Sequence, residues 1–380
     1  MTITSFKGGK PLHTFIVAAV LAAVPFTLPF SQSSAHAANF KGKKINFIVP
    51  FREGGGSTLY ARFLAPLIEK HLPGNPTVLI RNMPGGASAR GINYFTRNAK
   101  DDGMMITVPT ASSLIQFVVG AKAVKYDFAD FVPVLTSPLG VIIYSSPKLG
   151  VKTGEGEKLT GKNLNFGSRK PTGSELPIIV GFDLLNYKIK FIGGLSRGKA
   201  RQAFARGETN LNYDTTTSWS KKVVPLVNKG KAVPLFTYGF QNPDGTIVRD
   251  LAIPHVPTFF EIYKKVHGKE IGGLEGKTLK ALFNARVMAS KMIVLPKKTK
   301  KDILEAYHVA MAKVVKDPVF TSKQGKKIMG PFTQLLRDDA MRAMQNAATL
   351  GPDTKKWLRN WLTTKYGAFL KKKKKKKNKE

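Results

Sequence analysis

The chain has 380 residues, no cysteine, a hydrophobic fraction of 42% and a formal net charge of +37. This length is sufficient for two domains of ordinary size, and the apolar content excludes a chain that is disordered throughout. The lack of cysteine excludes disulfide bonds and thiolate metal sites, and it is compatible with an oxidising compartment.

The first 37 residues have the layout of a secretory signal peptide. Two lysines precede an apolar stretch from Phe15 to Phe30, and the small-x-small sequence Ala35-His36-Ala37 follows it. This order predicts cleavage after Ala37, so that the mature protein begins at Ala38 in the periplasm. An uncleaved membrane anchor is the alternative, but two prolines interrupt the apolar stretch and leave it short for a spanning helix.

The positive charge is spread along the whole chain. The segment Lys371–Glu380 contributes +7 and two N-terminal lysines contribute +2, which leaves +28 for residues 38–370. Such an excess suits nucleic acid or anionic membrane surfaces, but zinc-finger spacing, RNP-like aromatic motifs and basic regions with heptads are missing. We therefore expect no nucleic-acid partner, a solvated basic surface, and a disordered poly-Lys tail at 371–380.

The first third of the mature chain repeats one pattern three times. The stretch INFIVPFREGGGSTLYAR (Ile45–Arg62) is a predicted strand, a glycine turn and the start of a helix. Thr77–Arg81 and the turn at Asn82–Ser88 form the second unit, and Met105–Val108 with Thr110–Ser113 form the third. Successive strand–turn–helix units predict a parallel sheet, with the three turns at the carboxyl ends of its strands.

A second block starts near Gly140 and repeats the alternation. Val141–Tyr144 is a predicted strand, and Leu164–Phe166 leads into the polar turn Gly167–Glu175 and another helix. Long helices complete the chain, with Val287–Leu295 as a possible strand that returns to the first block. The predicted fold is α/β with two hinged lobes. Lobe 1 comprises 38–139 and 251–370, and lobe 2 comprises 140–250.

One motif suggests catalysis. Gly194–Gly198 fits G-x-S-x-G and lies between a strand and a helix, the setting of a nucleophile elbow. Ser196 would then need an acid and a base such as Asp214 and His255, which the sequence does not bring together. A glycine-rich structural connection is the favoured interpretation. Ser57 and Ser168 are weaker candidates for a nucleophile.

The sequence gives little support for a metal or a cofactor. Glu305 and His308 are a suggestive pair on one helix, but a di-iron site needs a second such pair. The glycines at 54–56 lack the third glycine of a dinucleotide-binding turn, and the segment from Gly156 ends in Asn163 instead of the hydroxyl that a P-loop needs. We expect neither a metal nor a cofactor.

Small hydroxyl residues and glycines recur at four predicted turns: Gly54–Thr58, Gly85–Ser88, Thr110–Ser113 and Ser168–Ser174. Any one of them is explained by capping of the helix that follows. Four turns that converge on one cleft favour an anionic ligand, because backbone amides and hydroxyls bind carboxylates without titrating.

Five blocks resemble, in order, the signature blocks of the Bug-type substrate-binding proteins of tripartite tricarboxylate transporters. The blocks are INFIVPFREGGGSTLYAR, IRNMPGGASARGINYF, NFGSRKPTGSELP, IKFIGGLSRGKARQAFARGETNLNYD and HVPTFFE, and the resemblance covers about 40–365. It implies a non-enzymatic, periplasmic Venus-flytrap protein that closes on a di- or tricarboxylate or an aromatic acid. It also implies delivery to the membrane permease of a tripartite transporter by a monomer, and a structural role for the Ser196 turn.

The resemblance also places the ligand site. The family's first loop falls on Pro50–Thr58, its second-lobe turn on Ser168–Ser174, and its FD ending on Tyr213-Asp214. Thr58 replaces the family's common Asp, so we expect preference for a fully anionic ligand over an amino-bearing one. The predicted ligand-binding residues are Gly54, Gly55, Gly56, Ser57, Thr58, Gly86, Ala87, Ser88, Ser112, Ser168, Thr172, Gly173, Ser174 and Asp214.

Two alternatives from other functional classes remain at this point. A secreted hydrolase would use Ser196. A basic exported protein would hold an anionic polymer or membrane surface through Lys371–Lys377 and the general charge.

Overall fold

The computed structural model describes residues 38–242 and 244–369. The predicted signal peptide and the lysine tail at 371–380 lie outside the described residues. Within the described part, no helix has both the length and the apolar composition that crossing a bilayer requires.

Twelve strands and fourteen α-helices make up the described chain. The strands are β1 Lys44–Val49, β2 Thr77–Asn82, β3 Met105–Thr107, β4 Phe131–Ser137, β5 Val141–Ser145, β6 Asn163–Gly167, β7 Lys188–Ile192, β8 Leu211–Thr215, β9 Val233–Thr237, β10 Phe240–Gln241, β11 Ile247–Val248 and β12 Lys291–Pro296. The helices are α1 Gly56–His71, α2 Ala89–Asn98, α3 Ala111–Val118, α4 Leu176–Leu184, α5 Arg197–Ala205, α6 Thr216–Ser218, α7 Val224–Asn228, α8 Phe259–His267, α9 Gly273–Phe283, α10 Lys301–Val314, α11 Pro318–Thr321, α12 Lys323–Met329, α13 Arg337–Ala348 and α14 Pro352–Tyr366.

The first lobe is built on a five-stranded sheet of order β2-β1-β3-β12-β4. Strands β1, β2 and β3 are parallel, as their crossover helices predicted. Strand β12 runs antiparallel to β3 and β4, which confirms a returning strand inside the predicted 287–295 segment. The sequence prediction missed β4, whose apolar run contains Pro133 and shows no alternation.

The second lobe is built on a sheet of order β7-β6-β8-β5-β9. Strand β5 runs antiparallel to both of its neighbours, and β6 pairs in parallel with β7 and β8. Strand β5 has no exposed residue, because helices cover both faces of the sheet. Both sheets are therefore mixed, with one reversed strand inside each.

The chain passes from the first sheet to the second at residues 138–140. The Leu139 amide donates to the Val287 carbonyl at 2.9 Å, and the Gly140 carbonyl accepts from the Thr216 amide at 3.0 Å. The chain rejoins the first sheet at Lys291. Before that point, α8 contacts β9 and α9 contacts α4. Strand β9 and helix α4 both belong to the second lobe. The lobe boundary near 250 stays a prediction.

Helix α14 is hydrogen-bonded to both lobes. Arg359 donates to the Val119 carbonyl, at the end of α3, at 2.7 Å. On the other side, the Trp361 indole and the Lys365 ammonium donate to the Asp183 carboxylate of α4 at 2.7 and 2.9 Å. A single helix near the C-terminus therefore joins the first lobe to the second.

Candidate functional site

The turn between β1 and α1 has the backbone geometry expected of an anion site. Gly54 has φ of +73°, which glycine adopts without steric cost, and Gly55 is the N-cap of α1 with no side-chain capping bond. The turn from Glu53 to Gly56 is exposed and Ser57 is half-buried. The first amides of a sixteen-residue helix therefore face the cleft side without a capping side chain.

Thr58 lies in this turn but does not offer its hydroxyl to a ligand. Its side chain is buried, and its Oγ1 donates to the Arg52 carbonyl at 3.1 Å and accepts from Asn82 Nδ2 at 2.8 Å. The same Asn82 amide donates to the Phe51 carbonyl at 2.8 Å. Thr58 therefore stabilises the glycine turn from the interior of the protein. Its hydroxyl is buried and already hydrogen-bonded, so it is not positioned for the expected contact with an anion.

Replacing Thr58 by valine should lower the free energy of unfolding by about 1–2 kcal/mol, because the change leaves Asn82 and the Arg52 carbonyl short of a partner. Urea unfolding measures the effect. Ser57→Ala, one residue earlier at a half-buried position, is the matched control and should change stability by less than about 0.5 kcal/mol. Equal losses for the two variants would contradict the role given to Thr58.

The second turn, at Gly86–Ser88, has a strained backbone. Ala87 and Ser88 both have positive φ, of 54° and 97°. Ser88 Oγ lies 2.9 Å from Ser113 Oγ, and the Gln116 side-chain amide donates to the Ala87 carbonyl at 2.6 Å. The buried Ser88 hydroxyl is therefore occupied by the third turn, whereas the exposed Gly86 and the half-buried Ala87 remain accessible.

The third turn begins α3 with a capping box. Thr110 Oγ1 accepts from the Ser112 amide at 3.3 Å, and Ser113 Oγ accepts from the Thr110 amide at 3.1 Å. Ser112 is half-buried. The polar character that the sequence shows at this turn is largely explained by capping, and the Ser112 hydroxyl is the group that stays available.

The second-lobe turn brings one unsatisfied hydroxyl into the interior. Ser168 is 1% exposed and its Oγ has no hydrogen-bond partner among the described residues. Thr172 and Ser174 are half-buried, and the buried Gly173 packs so closely that an added Cβ would lie 2.7 Å from Glu175 Oε2. Ser168 therefore keeps an unused hydrogen-bonding capacity, which a polar ligand could satisfy.

A cross-lobe contact connects this turn to the first lobe. Lys170 Nζ donates to Gln116 Oε1 at 3.2 Å, and Gln116 is the side chain whose amide holds Ala87. These two hydrogen bonds connect the second and third turns of lobe 1 to the polar turn of lobe 2.

Asp214 is engaged inside the second lobe. Its Oδ1 accepts from Arg201 Nη1 at 2.5 Å and its Oδ2 accepts from the Tyr144 hydroxyl at 3.0 Å. Burial raises the pKa of Asp214, and the Arg197 and Arg201 charges oppose this shift. Asp214 is therefore part of a buried network in the second lobe, and each of its carboxylate oxygens already accepts one hydrogen bond.

Two arginines that the sequence analysis missed, the half-buried Arg197 and the buried Arg286, flank Tyr213. The Arg197 guanidinium carbon lies 3.8 Å from the centroid of the Tyr213 ring, and that of Arg286 lies 5.7 Å from it. Arg197 donates to Asn212 Oδ1 at 2.6 Å, and the Tyr213 hydroxyl donates to Glu175 Oε1 at 3.1 Å. Nε and Nη1 of Arg197 and Nε of Arg286 have no acceptor among the described residues.

Lys291 is a third cation near this point. Its ammonium lies 5.1 Å from the centroid of the Tyr60 ring, and the Tyr60 hydroxyl lies 2.8 Å from Ser137 Oγ. Lys291 pairs with Ser137 across β12 and β4 and with Thr110 on its other side, so these three side chains share one face of the first sheet. Burial, together with a smaller contribution from the Arg286 charge, lowers the pKa of Lys291 to about 8.

No sequence signal distinguished these cations. Arg286 lies in a π-helical turn, Asn284–Met288, a local widening that is frequent at functional sites but has no sequence signature. Lys291 is one of many lysines in a strongly basic chain. Their importance comes from their low exposure and from having no ion-pair partner in the part of the chain that the structure describes. Both properties depend on contacts between distant segments.

The catalytic alternative is not supported by this geometry. Ser196 Oγ caps α5 by accepting from the Lys199 amide at 3.5 Å, Asp214 is bonded to Arg201 and Tyr144, and His255 is exposed. Ser196 therefore has the structural role expected of a glycine-rich connection.

The metal-site candidate has a different explanation. Glu305 accepts from Arg337 at 2.6 and 2.9 Å on the surface. Among the described residues, no group of three or more His, Asp or Glu side chains is arranged to hold a metal ion.

A cavity of about 670 Å³ lies elsewhere, between β4, α3, α13 and α14. Phe117, Met341 and Met344 contribute to its lining, and none of the predicted site residues does. We place the candidate site where Ser168, Arg197 and Arg286 lie, a region called the lobe seam below. Each of these side chains has a buried donor without a partner among the described residues.

The comparisons with known proteins concern the fold. No protein-family model and no curated protein matches the chain. Among solved structures, a TctC solute-binding protein from Polaromonas matches with a TM-score of 0.59 and 17% identity, covering 85% of this chain and 98% of its own. MatC from Rhodopseudomonas palustris with bound malate matches with a TM-score of 0.55 and 18% identity, covering 84% and 98% of the two chains.

An R. palustris protein with adipate matches with a TM-score of 0.58 and 16% identity, covering 83% of this chain and 97% of its own. At such identities the likeness shows the fold. The chain therefore has the α/β two-lobe fold of periplasmic binding proteins, with two mixed five-stranded sheets.

Proposed function

We propose that this chain is an extracytoplasmic solute-binding protein that captures a small organic carboxylate between its two lobes. The observation that carries the proposal is the group of buried, unsatisfied donors at the seam, from Arg197, Arg286 and Ser168. Buried polar groups in proteins normally have hydrogen-bond partners, so a site with free N–H and O–H donors, some of them on arginine, suits an anionic ligand.

The partners follow from the same proposal. A periplasmic monomer of this type would deliver its ligand to the membrane permease of a tripartite tricarboxylate transporter. The solved neighbours with malate and with adipate support a di-carboxylate among the possible ligands, because they have the same fold. The predicted preference for a fully anionic ligand fits the surplus of cations at the seam.

A thermal-shift screen of dicarboxylates, tricarboxylates, aromatic acids and amino acids tests the proposal. A true ligand at about 100 times its dissociation constant should stabilise the protein by about 2.7 kcal/mol. Small-angle scattering with that ligand then measures lobe closure, the usual response of hinged binding proteins.

The control is a chain without residues 371–380. Retained carboxylate binding by this truncated chain would support the proposal, whereas loss of all binding would favour the anionic-polymer alternative. A screen without a carboxylate hit, on protein shown to be folded by circular dichroism, would contradict it.

A further inference from the structure

We propose that Arg286 and Lys291 are the charged contacts of the ligand, and that together they require a ligand with two ionised groups. This inference rests on the proposed function and makes it more specific. It assigns recognition to two side-chain cations on the segment that rejoins the first lobe, in addition to the amides of the glycine turn.

The charges around Tyr213 show which cations lack a counter-ion. Arg201 is paired with Asp214, and Arg197 is coupled electrostatically to Glu175. These two arginines are therefore balanced within the second lobe.

Arg286 and Lys291 are the two cations of this region that have not yet been assigned a counter-ion. Neither is in an ion pair among residues 38–242 and 244–369, although Arg286 is 5% exposed and Lys291 is half-buried. Lys170, on the polar turn of lobe 2, adds further positive charge. The region thus has at least two positive charges in excess of its carboxylates, and a ligand with two negative charges would neutralise them.

The surroundings of both cations are aromatic and hydroxylic. Arg286 lies near the Tyr213 ring, and Lys291 lies over the Tyr60 ring beside Ser137. Contact of a cation with an aromatic face compensates for part of the lost hydration, but a buried cation needs an anion or several acceptors for full compensation. Arg286 and Lys291 therefore lack anionic acceptors, which the carboxylate oxygens of a ligand would supply.

The two cations are held by different elements. Lys291 is the first residue of β12, and Arg286 belongs to the π-helical turn before it. Both belong to the chain segment from Asn284 to Pro296, five residues apart, and the Arg286 charge contributes to lowering the pKa of Lys291. An anion placed between them would relieve their mutual repulsion, so the second negative charge adds more binding free energy here than in a neutral pocket.

Binding should also change the protonation of Lys291. Among the described residues, the ionisable groups that face it are Arg286, from the π-helical turn, and Tyr60, from α1. The N-cap of α3 and the end of β4 place Thr110 and Ser137 opposite it. Burial raises the pKa of Tyr60, so this group stays neutral and the Arg286 charge dominates. Because the pKa of free Lys291 is about 8, an adjacent dianion should raise it and cause proton uptake at pH 8–9.5.

Isothermal titration calorimetry with matched pairs of acids tests the inference. Adipate is compared with pentanoate and malate with lactate, since each pair differs by one carboxylate. We expect at least one of the two dianions to bind, at least about thirtyfold more tightly than its monoanionic partner at pH 7. Its affinity should fall above pH 8, with proton uptake detected near pH 9 as a dependence of the heat on the buffer.

Three variants give the specific readout. Lys291→Gln should lose at least about thirtyfold in affinity for the dianion together with the proton uptake. Lys291→Arg should keep most of the affinity but lose the pH dependence, because an arginine stays charged. Lys44→Gln, at the exposed first residue of β1, is the matched control and should behave as wild type.

The results separate this inference from the proposed function. Carboxylate binding that is equal for monoanions and dianions, or equal for Lys291→Gln and Lys44→Gln, would overturn the inference and leave the solute-binding proposal intact. Absence of binding by all four acids, together with a failed carboxylate screen, would overturn both.

Discussion

Gly140→Ala is expected to lower the free energy of unfolding by about 3 kcal/mol or more. A Cβ at this position would overlap the Asp250 carboxylate and the Thr216 hydroxyl. These groups are buried and bonded to each other, with Thr216 Oγ1 donating to Asp250 Oδ2 at 3.0 Å. Displacing them costs the strain of overpacking and leaves a buried carboxylate with fewer hydrogen bonds.

Urea unfolding of Gly140→Ala and of a control glycine variant measures this cost. Gly272→Ala is the control, because Gly272 has φ of −133° and no atom lies within 4 Å of its added Cβ. We expect the control to change stability by less than about 0.5 kcal/mol. Equal stability of the two variants would contradict the close packing of Gly140 against Asp250 and Thr216, where the chain passes from the first sheet to the second.

Lys291→Met should stabilise the ligand-free protein by about 2–3 kcal/mol at pH 7, although it removes a proposed ligand contact. The folded protein lowers the pKa of Lys291 from 10.5 to about 8, so below pH 8 the folded state carries a charge that its surroundings disfavour. A difference of this size corresponds to about 3 kcal/mol. A methionine of similar length removes the charge and keeps the packing.

The pH dependence of this effect has a definite sign. Between pH 8 and 10.5 the unfolded chain binds more protons at Lys291 than the folded chain does, so this lysine makes the wild type more stable as pH rises. The advantage of Lys291→Met should therefore be largest below pH 8 and decrease towards zero near pH 10.5.

Unfolding free energies at pH 7 and pH 10, measured without ligand, check both points. Lys44→Met is the exposed control and should show neither the gain nor its pH dependence. A variant no more stable than wild type at pH 7 would show that Lys291 is well solvated in the ligand-free protein.

The sequence predicted the features that depend on neighbouring residues. The glycines before α1 predicted a strand-to-helix turn, and Gly54 has the positive φ that such a turn needs. The order of apolar runs and polar turns predicted the parallel part of the first sheet and the alternation of strands and helices in the second lobe. The resemblance to Bug-type proteins predicted the two-lobe fold, which the solved structures confirm.

The features that depend on distant contacts were not predictable. Thr58 was interpreted as a ligand donor because it follows a glycine turn at a helix N-terminus and lies in the first loop of the resembled family, but Asn82 and the Arg52 carbonyl use its hydroxyl. Strand β4 was missed because a fully buried strand lacks alternation. Arg286 and Lys291 became visible when the fold placed them together without carboxylates, a fact that no local pattern encodes.

Helix α14 has a mechanical consequence for the hinge. It is anchored to the first lobe through Arg359 and to the second through Trp361 and Lys365. A rigid rod fixed at both ends cannot follow two bodies that rotate apart, so wide separation of the lobes must break the hydrogen bonds at one end of the helix. The two lobes are thus held close together near α14. Any relative rotation of the lobes must therefore produce larger displacements at positions farther from this helix.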